Sequence, residues 1–263
     1  MSDFTGDSLG KHEEVYTLLT MRHADFSERE AVETLGGDRL DALAALERLV
    51  EERRAFVLTD GRYFSDRSGQ RLRDTARRTL EKFHRKNPFR AGMPTEDLAE
   101  PLSRAAQIAD FRALALWLLA QGTLVAEGNR VRLPEFSIQP PTDWQSTLDE
   151  IEAVYLAAGF DTPTPGSFTF SRHLPTPALF LILTEQGRLI ALTEKILIHR
   201  TTWERAQDAA LALNQTPEGI TVGTLKDALG LTRKTVLPLL EKFDASGFTQ
   251  RREDDSRAIV GVQ

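Results

Sequence analysis

Apolar positions recur at helical spacing and then switch to short apolar strands four times along the chain. Each time, an amphipathic helix runs into a strand, a polar turn and a second strand. The four segments are LERLVEERRAFVLTDGRYF (46–64), LWLLAQGTLVAEGNRVRL (116–133), LILTEQGRLIALTEKILIHR (181–200) and LLEKFDASGFTQRREDDSRAIV (239–260). Such a repeat predicts tandem modules of one fold.

The sequence signals for the turns between the paired strands differ in strength. Asp60-Gly61 and Gly128-Asn129 are good hairpin signals, whereas Thr193-Glu194 and the polar run 253–256 are weaker. We expect a two-stranded hairpin in each of the four segments.

Further helices can be placed before the hairpins, best in the first, second and fourth segments. In the fourth, the pattern predicts helices over 203–213 and 222–229, with Thr221 as N-cap and Gly230 as the stop. In the third, the proline-rich stretch DTPTPGSFTFSRHLPTP predicts a loop in place of the middle helix. Three helices and a wing are the order of a winged helix, so we expect a mainly α protein with small β wings (α+β), built from four tandem winged-helix (helix-turn-helix) modules.

Proline-containing stretches indicate where these modules meet. The stretch RLPEFSIQPPTDW (132–144) is the clearest linker, because consecutive prolines favour extended backbone. The expected modules are 1–66, 67–135, 136–200 and 201–263, and the third has the least regular pattern.

The composition is that of an ordinary soluble globular protein. Of the 263 residues, 41% are apolar and 27% charged, and there is no cysteine, which excludes disulfides and favours a reducing cytoplasm. The apolar runs are far shorter than the roughly 20 residues that span a bilayer, so we expect no membrane partner.

A formal charge of −6 argues against indiscriminate binding of nucleic acid, but the charge is unevenly distributed. Residues 1–66 carry 8 Lys+Arg against 15 Asp+Glu, and residues 67–135 carry 13 against 8. Any contact with a polyanion must therefore be local.

One basic group lies in the last module. The predicted third helix of that module begins after Thr232, and its first turn and the following wing form a plausible phosphate clamp. The candidate residues are Thr232, Arg233, Lys234, Thr235, Arg251, Arg252 and Arg257. The alternative is an ordinary solvated surface, and the acidic run 253–255 opposes a purely electrostatic contact. Pro238 is expected to bend or strain this helix.

A second basic group, Arg77, Arg78, Lys82 and Arg85, falls on a helix predicted to end near Lys86. The opposite apolar stripe is Leu72, Ala76, Leu80 and Phe83. Two interpretations stay open: a solvated helix that pairs with the acidic first module, or an auxiliary contact to ribosomal or messenger RNA.

Catalytic and metal sites find no support in the sequence. The histidines, His12, His23, His84, His173 and His199, lie far apart, and no H-E-x-x-H or G-x-S-x-G motif occurs. We therefore expect no catalytic residue and no metal ligand.

Two long stretches resemble a known family. FHRKNPFRAGMPTEDL (83–98) and ITVGTLKDALGLTRKTVLPLLEKFDASGFTQR (220–251) closely resemble the C-terminal region of the bacterial selenocysteine-specific elongation factor, SelB. The resemblance implies tandem winged helices that bind the selenocysteine insertion (SECIS) hairpin of messenger RNA and direct selenocysteine incorporation at an in-frame UGA codon. It also implies that the last module makes the main RNA contact through the recognition-helix start and the wing, which are the candidate residues above. Asn87-Pro88 and Gly92 of the first stretch are expected to act as a helix stop and a turn.

The resemblance implies partners beyond the hairpin, namely the ribosome and the GTPase part of the factor in the same or another chain. The G-x-x-x-x-G-K-[ST] loop of that GTPase is absent, so we expect no enzyme activity here, with GTP and Mg confined to the missing N-terminal part. A winged-helix DNA-binding transcription regulator and a protein-interaction scaffold are the alternatives.

Overall fold

The computed structural model describes residues 6–22, 25–34, 38–105, 110–170 and 174–260. Two of the histidines considered above, His23 and His173, lie outside these ranges. By its internal contacts the chain divides into unit 1, Met1–Ser137, and unit 2, Ile138–Gln263. Helices and short antiparallel strands make up both units.

Unit 1 begins with three helices and a hairpin. These elements are α1 (Gly6–Arg22), α2 (Glu28–Thr34), α3 (Arg39–Glu51), β1 (Ala55–Val57) and β2 (Tyr63–Ser65). Asp38 caps α3 by accepting hydrogen bonds from the amides of Leu40 and Asp41. The predicted turn is confirmed, and Gly61 takes a φ of +80° that favours glycine.

The second half of unit 1 contains the longest helix. Its elements are α4 (Asp66–Lys86), β3 (Met93–Pro94), α5 (Ala99–Ala105), α6 (Phe111–Ala120), β4 (Val125–Glu127) and β5 (Arg130–Arg132), with a 3₁₀ turn at Thr95–Leu98. Ser65, the last residue of β2, caps α4 by accepting from the amide of Ser68. The predicted stripe is confirmed, since Leu72, Ala76 and Leu80 are fully buried, and the helix ends at Asn87 as predicted.

The wing of this second half has three strands instead of the predicted two. Residues Met93 and Pro94 pair with Val131 and Arg130, which gives the strand order β3-β5-β4. Gly92, where a turn is expected, lies directly before β3 at a close approach of two backbone segments, because a Cβ there would lie 2.9 Å from the carbonyl oxygen of Val131. The pairing was missed because two residues are too few to show a strand periodicity.

The first hairpin packs into the core of the second half. Phe64 meets Trp117 edge to face with ring centroids 4.8 Å apart, and Phe56 lies 5.2 Å from the same tryptophan ring. A Cβ on Gly69 of α4 would approach the Phe56 ring to 3.0 Å. The first hairpin thus contributes to the core of the second half, which includes Trp117, whereas the helices of the first half form a cluster of their own around Leu19, Leu46 and Leu49.

The start of the predicted linker is held against α4. The His84 ring stacks on Phe136 at a centroid distance of 3.6 Å, and the amide of Leu133 donates to Nε2 of His84 at 3.4 Å. Burial lowers the pKa of His84 below its usual value, with Arg132 adding to the effect, which keeps the ring neutral and able to accept this bond. The motif around residues 83–98 thus has a structural role, as the sequence analysis expects.

Unit 2 opens with two helices and a hairpin and continues with three helices and a hairpin. The elements are α7 (Gln145–Ala158), α8 (Thr176–Glu185), β6 (Leu189–Ala191), β7 (Leu197–His199), α9 (Arg200–Leu213), α10 (Val222–Leu229), α11 (Arg233–Ala245), β8 (Thr249–Arg251) and β9 (Arg257–Ile259). Between α7 and α8 the described residues form a loop with a 3₁₀ turn at Pro165–Ser167, as the prolines predict. Tyr155 stabilises this loop by donating its hydroxyl to the carbonyl of Pro163 at 2.7 Å.

Candidate nucleic-acid interface

The helix-turn-helix of unit 2 is built by local hydrogen bonds at both ends of α10. Thr221 and Thr224 form a reciprocal capping box, with each side chain accepting the other residue's amide at 3.1 and 2.9 Å. Gly230 ends α10 in the left-handed conformation at φ +64° and ψ +33°. The predicted helix 222–229, its N-cap and its stop are all confirmed.

One face of α11 packs against α10 and α9. Val236, Leu239, Leu240 and Phe243 are fully buried in a cluster with Leu225 of α10 and with Trp203 of α9. The ring centroids of Trp203 and Phe243 lie 4.8 Å apart. Because this packing fixes the rotation of α11 about its axis, it also decides which residues of the first turn face solvent.

The first turn of α11 carries exposed cations and open backbone donors. Arg233 and Lys234 are exposed, and their side chains have no hydrogen-bond or ion-pair partner in the described part of the chain. Thr232 occupies the N-cap position, but its hydroxyl lies 3.4 Å from that of Thr235 and accepts no amide hydrogen bond. The first amides of a helix lack intrahelical acceptors, so the uncapped start of α11 presents N–H donors together with positive charge.

Pro238 leaves α11 unbroken, since the helix continues through this residue to Ala245. Proline has no N–H, so the carbonyl of Lys234 receives no helical hydrogen bond from position 238. The bend or strain expected at Pro238 stays a prediction.

The wing presents two further cations. Arg251 is exposed, and its Nε donates to Oδ1 of Asp255 at 3.0 Å. Arg252 is exposed, and its guanidinium has no carboxylate partner among the described residues. Together with neighbouring side chains they line an open groove of about 600 Å³, whose lining is Gln250, Arg251, Arg252, Glu253, Asp254 and Ala258.

The acidic run of the wing is largely engaged within the wing itself. Asp254 accepts from the hydroxyl of Ser256 at 2.6 Å and from its amide at 3.0 Å, and these bonds lower the pKa of Asp254. Asp255 holds Arg251 and adopts a left-handed φ of +64°, which aspartate tolerates better than most residues. Glu253 is the exposed carboxylate of the three that has no such partner in the part of the chain that the structure describes.

Arg257 does not join the other candidate cations on the surface. Its side chain is only 5% exposed, and its Nε donates to Oδ2 of Asp244 at 2.9 Å. Asp244 also accepts from the hydroxyl of Thr249, and the amide of Arg257 donates to the carbonyl of Ile220 at 2.8 Å. These bonds tie the wing to α11 and to the entry of α10, so the position of Arg257 favours a structural role.

The basic group on α4 is only partly available. Arg77 pairs with Glu81 at 3.0 Å and also with Glu135. Arg78 contacts only the hydroxyl of Thr75, at 3.4 Å, whereas Lys82 and Arg85 are exposed without partners among the described residues. None of the four pairs with an acidic residue of the described part of 1–66, which disfavours the interpretation of α4 as a partner of the acidic first module.

Other kinds of site are not seen in the described ranges. No group of three or more His, Asp or Glu side chains comes together there as a metal site. None of the helices described is both long enough and apolar enough to cross a membrane.

A helix-turn-helix followed by a two-stranded hairpin makes unit 2 end in a winged helix. Residues 212–258 match the family model of the third such domain of "Elongation factor SelB, winged helix", and residues 77–133 match the model of the second. Residues 77–133 and 212–258 are therefore similar to winged-helix domains of SelB.

The similar proteins are in line with these two matches. The chain is 25% identical over 178 residues to a selenocysteine-specific elongation factor of Desulfomicrobium baculatum, an alignment that covers 66% of this chain and 28% of that protein. The chain thus spans little more than a quarter of the length of this relative.

Two solved structures overlap with parts of the chain. The mRNA-binding domain of SelB from E. coli, solved with SECIS RNA, is 21% identical and covers 46% of this chain and all of its own, with a TM-score of 0.39. A bacterial selenocysteine-specific elongation factor, EF-Sec, is 17% identical and covers 96% of this chain and 39% of its own, with a TM-score of 0.40. The similarity to SelB therefore rests on the two matched sequence ranges.

Proposed function

We propose that this chain is the RNA-binding region of a selenocysteine-specific elongation factor, and that its last module binds the messenger RNA hairpin beside a UGA codon. The observation that carries the proposal is the match of residues 212–258 to a SelB winged-helix domain, because this range contains both α11 and the wing. The exposed cations of that module are where a hairpin would make its phosphate contacts.

The geometry suits an RNA stem-loop better than a plain duplex. The major groove of A-form RNA is too deep and narrow for side chains to read, so a protein reads loop or bulged bases and holds the stem by its phosphates. The start of α11 offers amides together with Arg233 and Lys234, and Thr232 and Thr235 add hydroxyls at the same place. Arg251 and Arg252 supply the second contact from the wing, whereas Arg257 would act by holding the wing in place.

The proposal includes a modular organisation for the whole chain. Its four modules would end with the hairpins, whose last strands end at Ser65, Arg132, His199 and Ile259. Catalysis would belong to a GTPase part outside this chain, which would bind GTP and Mg, and the ribosome would be a partner of the assembled factor.

Hairpin binding can be tested with single substitutions in unit 2. Arg233→Ala is expected to weaken binding of the chain to the UGA-flanking hairpin and to reduce the slope of log K against log salt by about 1, because one phosphate contact is lost. Arg200→Ala is the matched control, since Arg200 is also an exposed arginine in the first turn of a helix of unit 2. Affinity is measured by titration at several salt concentrations.

A hairpin with a scrambled loop and a DNA duplex complete the experiment. The expected result is binding that is weakened when the loop is scrambled, and that Arg233→Ala weakens while Arg200→Ala does not. Equal and weak binding to all three nucleic acids would overturn the proposal, and preference for the DNA duplex would favour a DNA-binding regulator instead.

A further inference from the structure

The exposed face of α4 carries a row of cations that the hairpin site of unit 2 does not explain. Its members are spaced by four, seven, four and three residues, which places them on one helical face, and they are Arg67, Arg71, Arg78, Lys82 and Arg85. Arg71 is half-buried, and the other four are exposed. From Arg67 to Arg85 this α4 stripe is about 27 Å long at 1.5 Å per residue. Such a length is suited to an extended polyanion and exceeds what a single phosphate requires.

In the part of unit 1 that the structure describes, the cations of the α4 stripe lack the carboxylate partners that eight other cations have. Those pairs are Lys11–Asp41, Arg29–Glu33, Arg39–Glu28, Arg48–Glu52, Arg54–Glu13, Arg62–Asp25, Arg77–Glu81 and Arg104–Glu100. No member of the stripe makes an ion pair within the described residues; Arg71 binds the hydroxyl of Ser68 and Arg78 that of Thr75. Two carboxylates of α4 lie beside the stripe: Asp74 accepts from Gln70, and Glu81 pairs with Arg77.

Like charges three and four residues apart destabilise a helix. The stripe contains three pairs of like charges at this spacing, namely Arg67 and Arg71, Arg78 and Lys82, and Lys82 and Arg85. A row of like charges without ion pairs is expected where a bound anion removes the repulsion between its members.

The apolar face of α4 is not free for a membrane. A basic amphipathic helix binds a bilayer by inserting its apolar side. In α4 that side is fully buried in the core of unit 1 through Leu72, Ala76 and Leu80, and Phe83 packs against the same core. The helix therefore offers charge alone to a partner.

We infer that the α4 stripe binds the phosphate backbone of double-helical RNA without reading its sequence. Four of its five cations are arginines, whose planar guanidinium can form bidentate hydrogen bonds to phosphate oxygens. The stripe contains no aromatic residue on which unpaired bases could stack, which favours a duplex over a single strand. The choice of RNA as the occupant rests on the proposed function of unit 2.

A blunt-ended RNA duplex without loop or bulge is the probe for this surface in the full chain. The variant Arg67→Gln, Arg78→Gln, Lys82→Gln, Arg85→Gln removes four exposed charges and keeps residues of similar helix propensity. We expect it to bind the duplex at least about 10-fold more weakly than the wild type, with a log–log salt slope smaller by about 3.

The matched control removes the same charge from cations of unit 1 that already have carboxylate partners. It is Arg29→Gln, Arg39→Gln, Arg48→Gln, Arg104→Gln, and its duplex affinity should stay near that of the wild type. Equal weakening in the two quadruple variants would overturn the inference, because general charge and not the α4 stripe would then be responsible.

Further measurements separate this inference from the proposed function. Arg233→Ala should weaken binding of the hairpin and leave binding of the duplex unchanged. The quadruple α4 variant should still prefer the hairpin with the intact loop over the one with the scrambled loop. A wild-type chain that binds the hairpin but not the plain duplex would overturn the α4 inference alone. Duplex binding without loop preference would overturn only the proposed function, and binding to anionic lipid vesicles in place of the duplex would assign the stripe to a membrane.

Discussion

At the scale of single residues, burial separates arginines that the sequence cannot tell apart. Arg252 and Arg257 belong to the same short hairpin, yet Arg252 faces solvent whereas the side chain of Arg257 is 5% exposed and bound to Asp244. A guanidinium engaged in this way cannot also hold a phosphate without breaking its own ion pair. Substitution of Arg257 should therefore reduce stability, whereas substitution of Arg252 should reduce binding.

Arg257→Ala is expected to lower the free energy of unfolding of unit 2 by about 2–4 kcal/mol, because the carboxylate of Asp244 loses its ion pair and keeps only the hydrogen bond from Thr249. The side chain of Asp244 is 27% exposed, so the expected loss of stability lies toward the lower end of that range. Arg252→Ala should change stability by less than about 0.5 kcal/mol and weaken hairpin binding instead. Urea unfolding and hairpin titration of both variants distinguish these effects; a fully stable Arg257→Ala variant with reduced hairpin affinity would make Arg257 an RNA contact.

At the scale of elements, the turn between α10 and α11 is determined by one backbone conformation. Gly230 has a φ of +64°, and the amide of Leu231 donates to the carbonyl of Lys226 at 2.9 Å. The chain therefore reverses within three residues and starts α11 at Arg233. The sequence pattern predicts this turn because glycine after the last apolar position of a helix is a common stop.

Gly230→Ala is expected to destabilise the last winged helix by about 1–2 kcal/mol through backbone strain alone. A Cβ at this position would meet no atom within 4 Å, so steric overlap does not contribute. Gly230→Asn should cost less, because asparagine tolerates the left-handed region. Thermal unfolding of the three proteins tests the ranking, and an alanine variant as stable as the wild type would show that the turn can adopt another conformation.

At the scale of the whole molecule, each unit has apolar clusters of its own. The core of the second half of unit 1 includes Phe64 and Leu58 of the first hairpin together with Leu80 of α4. In unit 2, one cluster joins Ile198 of β7 to Leu240 of α11. We therefore expect residues from successive hairpins and helices to unfold together within a unit.

Leu80→Ala should lower the stability of unit 1 by about 2–5 kcal/mol, through lost burial and the remaining cavity. Hydrogen exchange of the full chain should then accelerate throughout unit 1, including β1 and β2, while the amides of α9 to α11 keep their protection. Leu240→Ala is the matched control and should produce the converse pattern. Acceleration in both units from either substitution would show one cooperative system instead of two.

The sequence by itself determined the order of helices and hairpins, most of their ends and the resemblance to SelB, because periodicity, caps and turn residues are local properties. Thr221, Gly230 and Asn87 act where the pattern predicts. It could not show the third strand at Met93-Pro94, which depends on pairing with residues almost 40 positions away. Nor could it show that Arg77 and Arg257 are occupied by carboxylates while Arg233, Lys234 and Arg252 make no ion pair within the described residues, since ion pairs depend on which side chains the fold brings together. Which cations stay exposed and unpaired there was decided only by the tertiary structure.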